Sequence, residues 1–383
     1  MRITTTLAAA AVAATGALAK PRFVMYFDQW HKDSLPDHPV TAGVTHVTTA
    51  FADSVIFNSG TWYEPFMAPD QVRLLFDNGT KLCLAVGGWG QSTGFDAAAK
   101  TDETRQTYAE NVAETIKRLG YDCVDIDWEY PGGNGEDYKR VPNSEKVWEI
   151  EAYPLFLEAI RKAIPENIEL SIAVPARVED MIGFTAENVA KINDIVDYVN
   201  IMTYDLMNRR MSETTHHTSV NGSLDSIETY IDRGLSPEKI NLGFAFYAKW
   251  FTTESGYECT TPTGCPTALL ENADGSDSLV SGAITFEAST YAGKLEHAVT
   301  NGVADEELGG QWWWDADEEV YWTWDTADLI ARKFSEIVLP KKLGGVFAWS
   351  LAQDSYDWSR FKALQAGVKG MEQEQEQEQE QDD

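Results

Sequence analysis

The chain has 383 residues, with 61 acidic and 30 basic side chains and a formal net charge of −31 at neutral pH. Apolar residues make up 43% and aromatics 11%, with 13 tryptophans, which excludes a disordered chain. The length allows one barrel-sized domain or two ordinary ones, and the charge argues against nucleic acid or an anionic membrane as partner.

Arg2 precedes an apolar, Ala-rich run from Leu7 to Leu18 that is too short to span a bilayer. Ala17-Leu18-Ala19 is a small-x-small cleavage site, so residues 1–19 are expected to be a signal peptide and the mature chain a secreted, extracellular protein without a membrane anchor. The sequons Asn78-Gly79-Thr80 and Asn221-Gly222-Ser223 suit that route and mark Asn78 and Asn221 for glycosylation.

Eight runs rich in Val, Ile, Phe and Tyr predict strands: Phe23–Phe27, Val44–Phe51, Lys81–Val86, Asp122–Asp127, Glu169–Val174, Tyr198–Thr203, Ile240–Phe246 and Gly345–Ser350. Helical patterns fall between them at Thr104–Leu119, Glu149–Ile164, Leu224–Gly234 and Ala327–Ile337. Strand and helix in alternation predict the α/β class with a parallel sheet, and eight repeats fit a closed (β/α)8 TIM barrel over residues 20–369. An open doubly wound sheet competes, but DQWHKD after the first strand is not its Gly-rich phosphate loop. Residues 252–310 are too long for an ordinary loop and predict a small insertion between the seventh strand and its helix. Residues 370–383, ending in EQEQEQEQEQDD, predict a disordered acidic tail.

Cys259 and Cys265 bracket a short Pro- and Gly-containing loop and predict a disulfide. Cys83 and Cys123 lie inside strand runs and read as buried free thiols, with a bridge open only if their strands are neighbours at matching height. The cysteines and histidines form no metal-ligand spacing, since His216 and His217 are adjacent and point apart. Neither metal nor cofactor is expected.

The most informative segment is YDCVDIDWEYP, residues 121–131. Asp125, Asp127 and Glu129 alternate, so on a strand they share one face, while Val124, Ile126 and Trp128 take the other and belong to the core. A solvated polar stripe does not suit a barrel strand, which is buried on both faces, and strands supply calcium ligands poorly. Three carboxyls in one buried row are costly and point to catalysis. Glu129 is outermost, and the charges of Asp125 and Asp127 are expected to raise its pKa so that it serves as a general acid. Asp122 has the opposite parity and faces elsewhere.

The spacing Asp122-x-x-Asp125-x-Asp127-x-Glu129 followed by Tyr130-Pro131 resembles the signature of the family-18 glycoside hydrolases, the chitinases, which are (β/α)8 barrels. Further matches follow in order: Tyr26 on the first strand, Phe51 on the second, Gly87-Gly88-Trp89 on the third, Met202-Thr203-Tyr204-Asp205 on the sixth, Tyr247 on the seventh and Trp349 on the last. Cys123 replaces a usual glycine, Ala85 stands where a serine hydroxyl would face the inner acids, Lys249 stands where arginine is common and Asn200 stands near a frequent glutamine.

The resemblance implies Glu129, Asp127, Asp125 and Tyr204 as catalytic residues. It implies Tyr26, Phe51, Gly88, Trp89, Tyr130, Met202, Asp205, Tyr247 and Trp349 as substrate-binding residues. It also implies retaining, substrate-assisted hydrolysis of β-1,4-linked N-acetylglucosamine. Glu129 protonates the leaving oxygen, the substrate's 2-acetamido oxygen attacks C1 to give an oxazolinium ion, and Asp127 and Tyr204 hold the acetamide. Trp349 and Trp89 stack sugars on either side. The expected partners are chitin or chito-oligosaccharides, acted on by a monomer that cuts internal bonds. Two other readings stand beside this one: an endo-β-N-acetylglucosaminidase acting on N-glycans, and a protein that binds and sequesters chitin fragments without turnover. The tryptophans of residues 312–314, with Trp322 and Trp324, read equally as extra sugar platforms or as packing for the insertion.

Overall fold

The computed structural model describes residues 20–37, 39–60 and 62–382, without the side chain of Asp382. The expected signal peptide lies outside them. The strands are β1 (Arg22–Asp28), β2 (His46–Ala52), β3 (Lys81–Gly87), β4 (Cys123–Asp127), β5 (Glu169–Pro175), β6 (Tyr198–Met202), β7 (Ile240–Ala245), β8 (Tyr247–Thr252), β9 (Ser281–Thr285), β10 (Val303–Asp305), β11 (Gly310–Asp315), β12 (Val320–Trp324) and β13 (Gly345–Trp349). Eight of them close a parallel barrel in the order β1-β13-β7-β6-β5-β4-β3-β2. These eight correspond to the eight expected runs, because a strand covered on both faces is apolar nearly throughout.

The core lies between the strands and the outer helices. Val124, Ile126 and Trp128 point into it, and Trp128 stacks on Phe95 and meets Tyr153 edge-on. Helix Asp102–Leu119 begins with a capping box between Thr101 and Thr104 and stops at Gly120, whose φ of 73° suits glycine. Its Tyr108, Val112 and Ile116 form the buried stripe.

The chain leaves the barrel immediately after β7. Strands β10-β11-β12-β8-β9 form an antiparallel sheet in that order, with helix Lys294–Asn301 packed on it. The excursion therefore runs over residues 247–324, wider than the expected 252–310. Only Phe246 separates β7 from β8, so the two strands read as one apolar run in sequence. Leu295 and Ala298 of that helix pack with Trp322 and Trp324 on one face, while Trp312 and Trp314 join Phe251 and Tyr321 on the other. The tryptophans thus pack the inserted sheet.

Two further expectations are corrected. Cys83 and Cys123 are bridged, because β3 and β4 set them directly opposite with Cα atoms 4.4 Å apart. Cys259 and Cys265 are also bridged. The acidic tail is helical up to Asp382, continuing a helix that starts at Ser359. Phe361, Leu364, Val368 and Met371 bury one face of its first half, and Glu and Gln are good helix formers that extend an existing nucleus at little cost. Asn78 sits exposed in the turn before β3. Asn221 is exposed in the first turn of helix Val220–Asp232, its amide donating to Glu307 O at 3.3 Å.

Behind β6, Lys333 Nζ donates to Asp325 Oδ2 at 2.6 Å and to Thr218 Oγ1 at 2.6 Å, with both charged side chains fully buried. A buried pair of this kind is most costly when broken on one side only. Replacing Lys333 by Met should lower stability by about 3–5 kcal/mol, read from urea unfolding midpoints. Lys333→Met with Asp325→Leu should recover most of the loss.

Candidate active site

Parity on β4 places Asp125 and Asp127 inside the barrel mouth, with Glu129 just beyond the strand end. Asp125 is wholly buried and fully partnered. It accepts from Tyr26 Oη at 2.7 Å, Ser171 Oγ at 2.6 Å and Asn200 Nδ2 at 3.3 Å. The chain of donors continues downward: Asn241 Nδ2 donates to Asn200 Oδ1 at 2.9 Å and Arg22 Nε to Asn241 Oδ1 at 2.9 Å. The hydroxyl missing at Ala85 is therefore supplied from β5 by Ser171. Asp122, of opposite parity, accepts from Arg73 Nη2 and Leu82 N outside the barrel.

Burial raises the Asp125 carboxyl and these three donors pull it back. Asp127 has no such relief. Burial, followed by the charges of Glu129 and Asp125, pushes it well above the usual carboxylate range, and its Oδ1 is buried without a hydrogen-bond partner. Glu129 is pushed up to about 7, first by burial and then by the carboxylates of Asp205 and Asp180, against hydrogen bonds from Tyr130 and the Trp89 main chain. Burial and two carboxylates from the next loops thus act on Glu129 beside its mutual repulsion with Asp127.

A cavity of about 380 Å³ opens over this row, within the range of small-ligand sites. Tyr26, Phe51, Trp89, Asp127, Glu129, Tyr130, Met202, Tyr204, Asp205, Tyr247 and Trp349 all line it. Phe51 and Trp349 stack at 5.3 Å and 15°, making a flat apolar floor on the β1–β2–β13 side. Trp89, in the turn after β3, lines the same cavity and is 43% exposed. Burial keeps the Tyr204 hydroxyl protonated as a donor. Two expected residues stand elsewhere. Asp125 lies beneath the cavity, and Gly88 lies behind its wall. At φ +91°, a Cβ on Gly88 would fall 2.7 Å from the Phe51 ring, so the glycine makes room for Phe51.

Asp205 is held in the left-handed region at φ 55°. Tyr247 Oη donates to its Oδ1 at 2.8 Å, and Lys249 Nζ lies at 2.9 Å. Burial would raise this carboxyl, but Lys249 and His217 hold it well below the usual range. His216 turns the other way, to Asp305 Oδ2 at 2.9 Å. Sequence reading passed over Ser171, Asp180, His217 and Arg210, and only the barrel order brings them here. A cluster of histidine, cysteine and acidic groups fit to hold a metal ion does not occur among the described residues.

The family model of the glycosyl hydrolases family 18 matches residues 22–354. The chain is 27% identical to chitinase 1 of Aphanocladium album, over 85% of this chain and 80% of that one. It is 24% identical to a chitinase-like effector of Moniliophthora roreri, over 87% and 89%. In fold it is similar to a chitinase of Cycas revoluta solved with (GlcNAc)4, at a TM-score of 0.71, 19% identity and coverage of 90% and 99%. Since the matched span takes in the whole closed barrel and every cavity-lining residue named above, the chain belongs to the glycosyl hydrolases of family 18.

Proposed function

We propose that the protein is a secreted chitinase that cleaves internal β-1,4 bonds between N-acetylglucosamine units with retention, using the substrate's own acetamide as nucleophile. The observation that carries this reading is the uneven state of the carboxyls. Glu129 is pushed up to about 7 at the cavity wall, and beside it burial and the charges of its two neighbours push Asp127 well above the usual carboxylate range, with a bare, buried Oδ1. An ordinary retaining site needs a second, ionised carboxylate as nucleophile. Burial and the charges of Glu129 and Asp125 disfavour an ionised Asp127, Asp125 lies below and is fully bonded, and Asp205 is committed to Tyr247 and Lys249. A nucleophile from the substrate resolves this.

In this mechanism the sugar to be cleaved lies on the Phe51–Trp349 floor. Glu129 gives its proton to the glycosidic oxygen as the bond breaks. The acetamide oxygen closes on C1, forming a cyclic cation. Asp127 accepts the acetamide N–H and Tyr204 Oη donates to the acetamide oxygen, fixing the attacking geometry. Glu129, now ionised, takes a proton from water, which opens the ring from the same face. Chitin or chito-oligosaccharide supplies the required acetamide. Residues 1–19 support secretion, the exposed Asn78 and Asn221 carry the glycans, and the protein acts as a monomer.

A second reading is a binding protein that sequesters chitin fragments. The chitinase-like effector of Moniliophthora roreri, similar over 87% of this chain, favours it. Glu129→Gln separates the two. A chitinase loses hexamer hydrolysis by about 1,000-fold or more and still binds hexamer. A wild type that binds hexamer tightly without cleaving it is the sequestering protein.

The pH profile tests the acid. Glu129 must be protonated in the first step, so activity should fall as pH rises through about 7. Asp205→Asn removes one negative neighbour and releases the Lys249 cation, and both changes favour the ionised Glu129. The alkaline limb of kcat/KM should therefore move to lower pH. A limb that stays in place or moves up would contradict the assignment.

A further inference from the structure

The Trp89 side of the cavity has its own polar construction. Arg210, in the loop after β6, places its guanidinium 5.5 Å from the Trp89 ring centroid and 4.0 Å from that of Tyr138. Its Nη2 donates to Asn134 O at 2.9 Å and Gly135 O at 3.3 Å, and its Nη1 donates to Asp180 Oδ1 at 3.4 Å. Asn134 Nδ2 fixes the same Asp180 oxygen at 3.0 Å. Arg210 thus ties the loops after β4, β5 and β6 together and presents a preorganised face to the cavity, where it and Asp180 both stand in the wall. Three of its five N–H donors are used in these contacts.

This arrangement has a chemical preference. A lone arginine in a pocket draws anions. An arginine paired with a carboxylate is neutral overall and offers donors and acceptors side by side, which suits hydroxyl groups. The open face of Trp89 beside it suits the C–H face of a pyranose. Glu129 lines the same cavity as this wall and the Phe51–Trp349 floor.

We infer that Arg210, held by Asp180, is a specificity residue that binds the hydroxyls of the leaving sugar, so that the site selects a carbohydrate leaving group over other alcohols. The inference rests on the proposed chitinase reading and adds to it a residue outside the carboxylate row. An aryl leaving group has a flat face for Trp89 but no hydroxyls for Arg210, so the two leaving groups separate the contributions.

The test measures kcat/KM on chitin hexamer and on an aryl chitobioside for wild type, Arg210→Ala, Arg210→Lys and Asp180→Asn. The ratio of hexamer to aryl rate should fall about 10-fold or more in Arg210→Ala, as for a site whose polar groups lose their partners. It should stay low in Arg210→Lys, because a point charge does not replace the planar fork, and fall to a lesser degree in Asp180→Asn. Equal loss on both substrates, or no change in the ratio, overturns the inference. Calorimetry in the Glu129→Gln background reads the subsite without turnover. Adding Arg210→Ala should weaken hexamer binding about 10-fold and chitobiose binding much less. If the wild type binds hexamer without cleaving it, the chitinase reading fails while this arm still decides the subsite. Equal hexamer affinity with and without Arg210 overturns the subsite whatever the turnover.

Discussion

Burying three carboxyls in one row on a single strand is the constraint around which this molecule is organised. Like charges a few ångströms apart in a low-dielectric interior do not all ionise. The barrel answers with a graded set of surroundings. The innermost acid, Asp125, receives three hydrogen bonds, backed by an amide ladder through Asn200 and Asn241 to Arg22. The middle acid, Asp127, has a buried Oδ1 without a partner, and burial with the charges of its two neighbours disfavours its ionised form. The outer acid, Glu129, is left near its tipping point. One row of identical chemistry is thus graded by what each oxygen touches.

The inserted sheet belongs to the same arrangement. Its first strand supplies Tyr247 and Lys249, which hold Asp205 in a left-handed backbone conformation that a non-glycine residue adopts only when its neighbours impose it. Asp205 in turn keeps Glu129 high. The tryptophans that fill the two faces of the sheet therefore act on the chemistry at one remove, by making the strand that carries Lys249 rigid.

The barrel strands were legible in sequence because burial on both faces leaves a continuous apolar run. The acid row was legible because strand parity is strict: shifting Asp125, Asp127 or Glu129 by one residue would turn it into the helix layer. Contacts between strands distant in sequence were not legible. Ser171 reaches Asp125 across 46 positions, and Cys83 meets Cys123 only because β3 and β4 lie at equal height. The part that Asp180 and Asp205 play in raising Glu129 was hidden for the same reason, since both come from later loops. The edges of the insertion were misplaced because an antiparallel strand directly following a parallel one has the same composition. The tail was misread because low complexity also describes a good helix former once a packed helix precedes it.

A net charge of −31 on the whole chain coexists with a cavity in whose wall acids are paired with bases. Asp205 is matched by Lys249 and Asp180 by Arg210, while burial disfavours the ionised forms of Asp127 and Glu129. Each charge that lines the cavity in these pairs is cancelled within about 4 Å, well inside the roughly 8 Å over which physiological salt screens the surface field. The pairs thereby place donors and acceptors side by side in the wall. Breaking either pair converts part of the wall into an ion site. On the proposed chitinase reading, the arginine–aspartate and lysine–aspartate pairs are therefore as much a part of selecting a neutral sugar as the aromatic faces of the cavity.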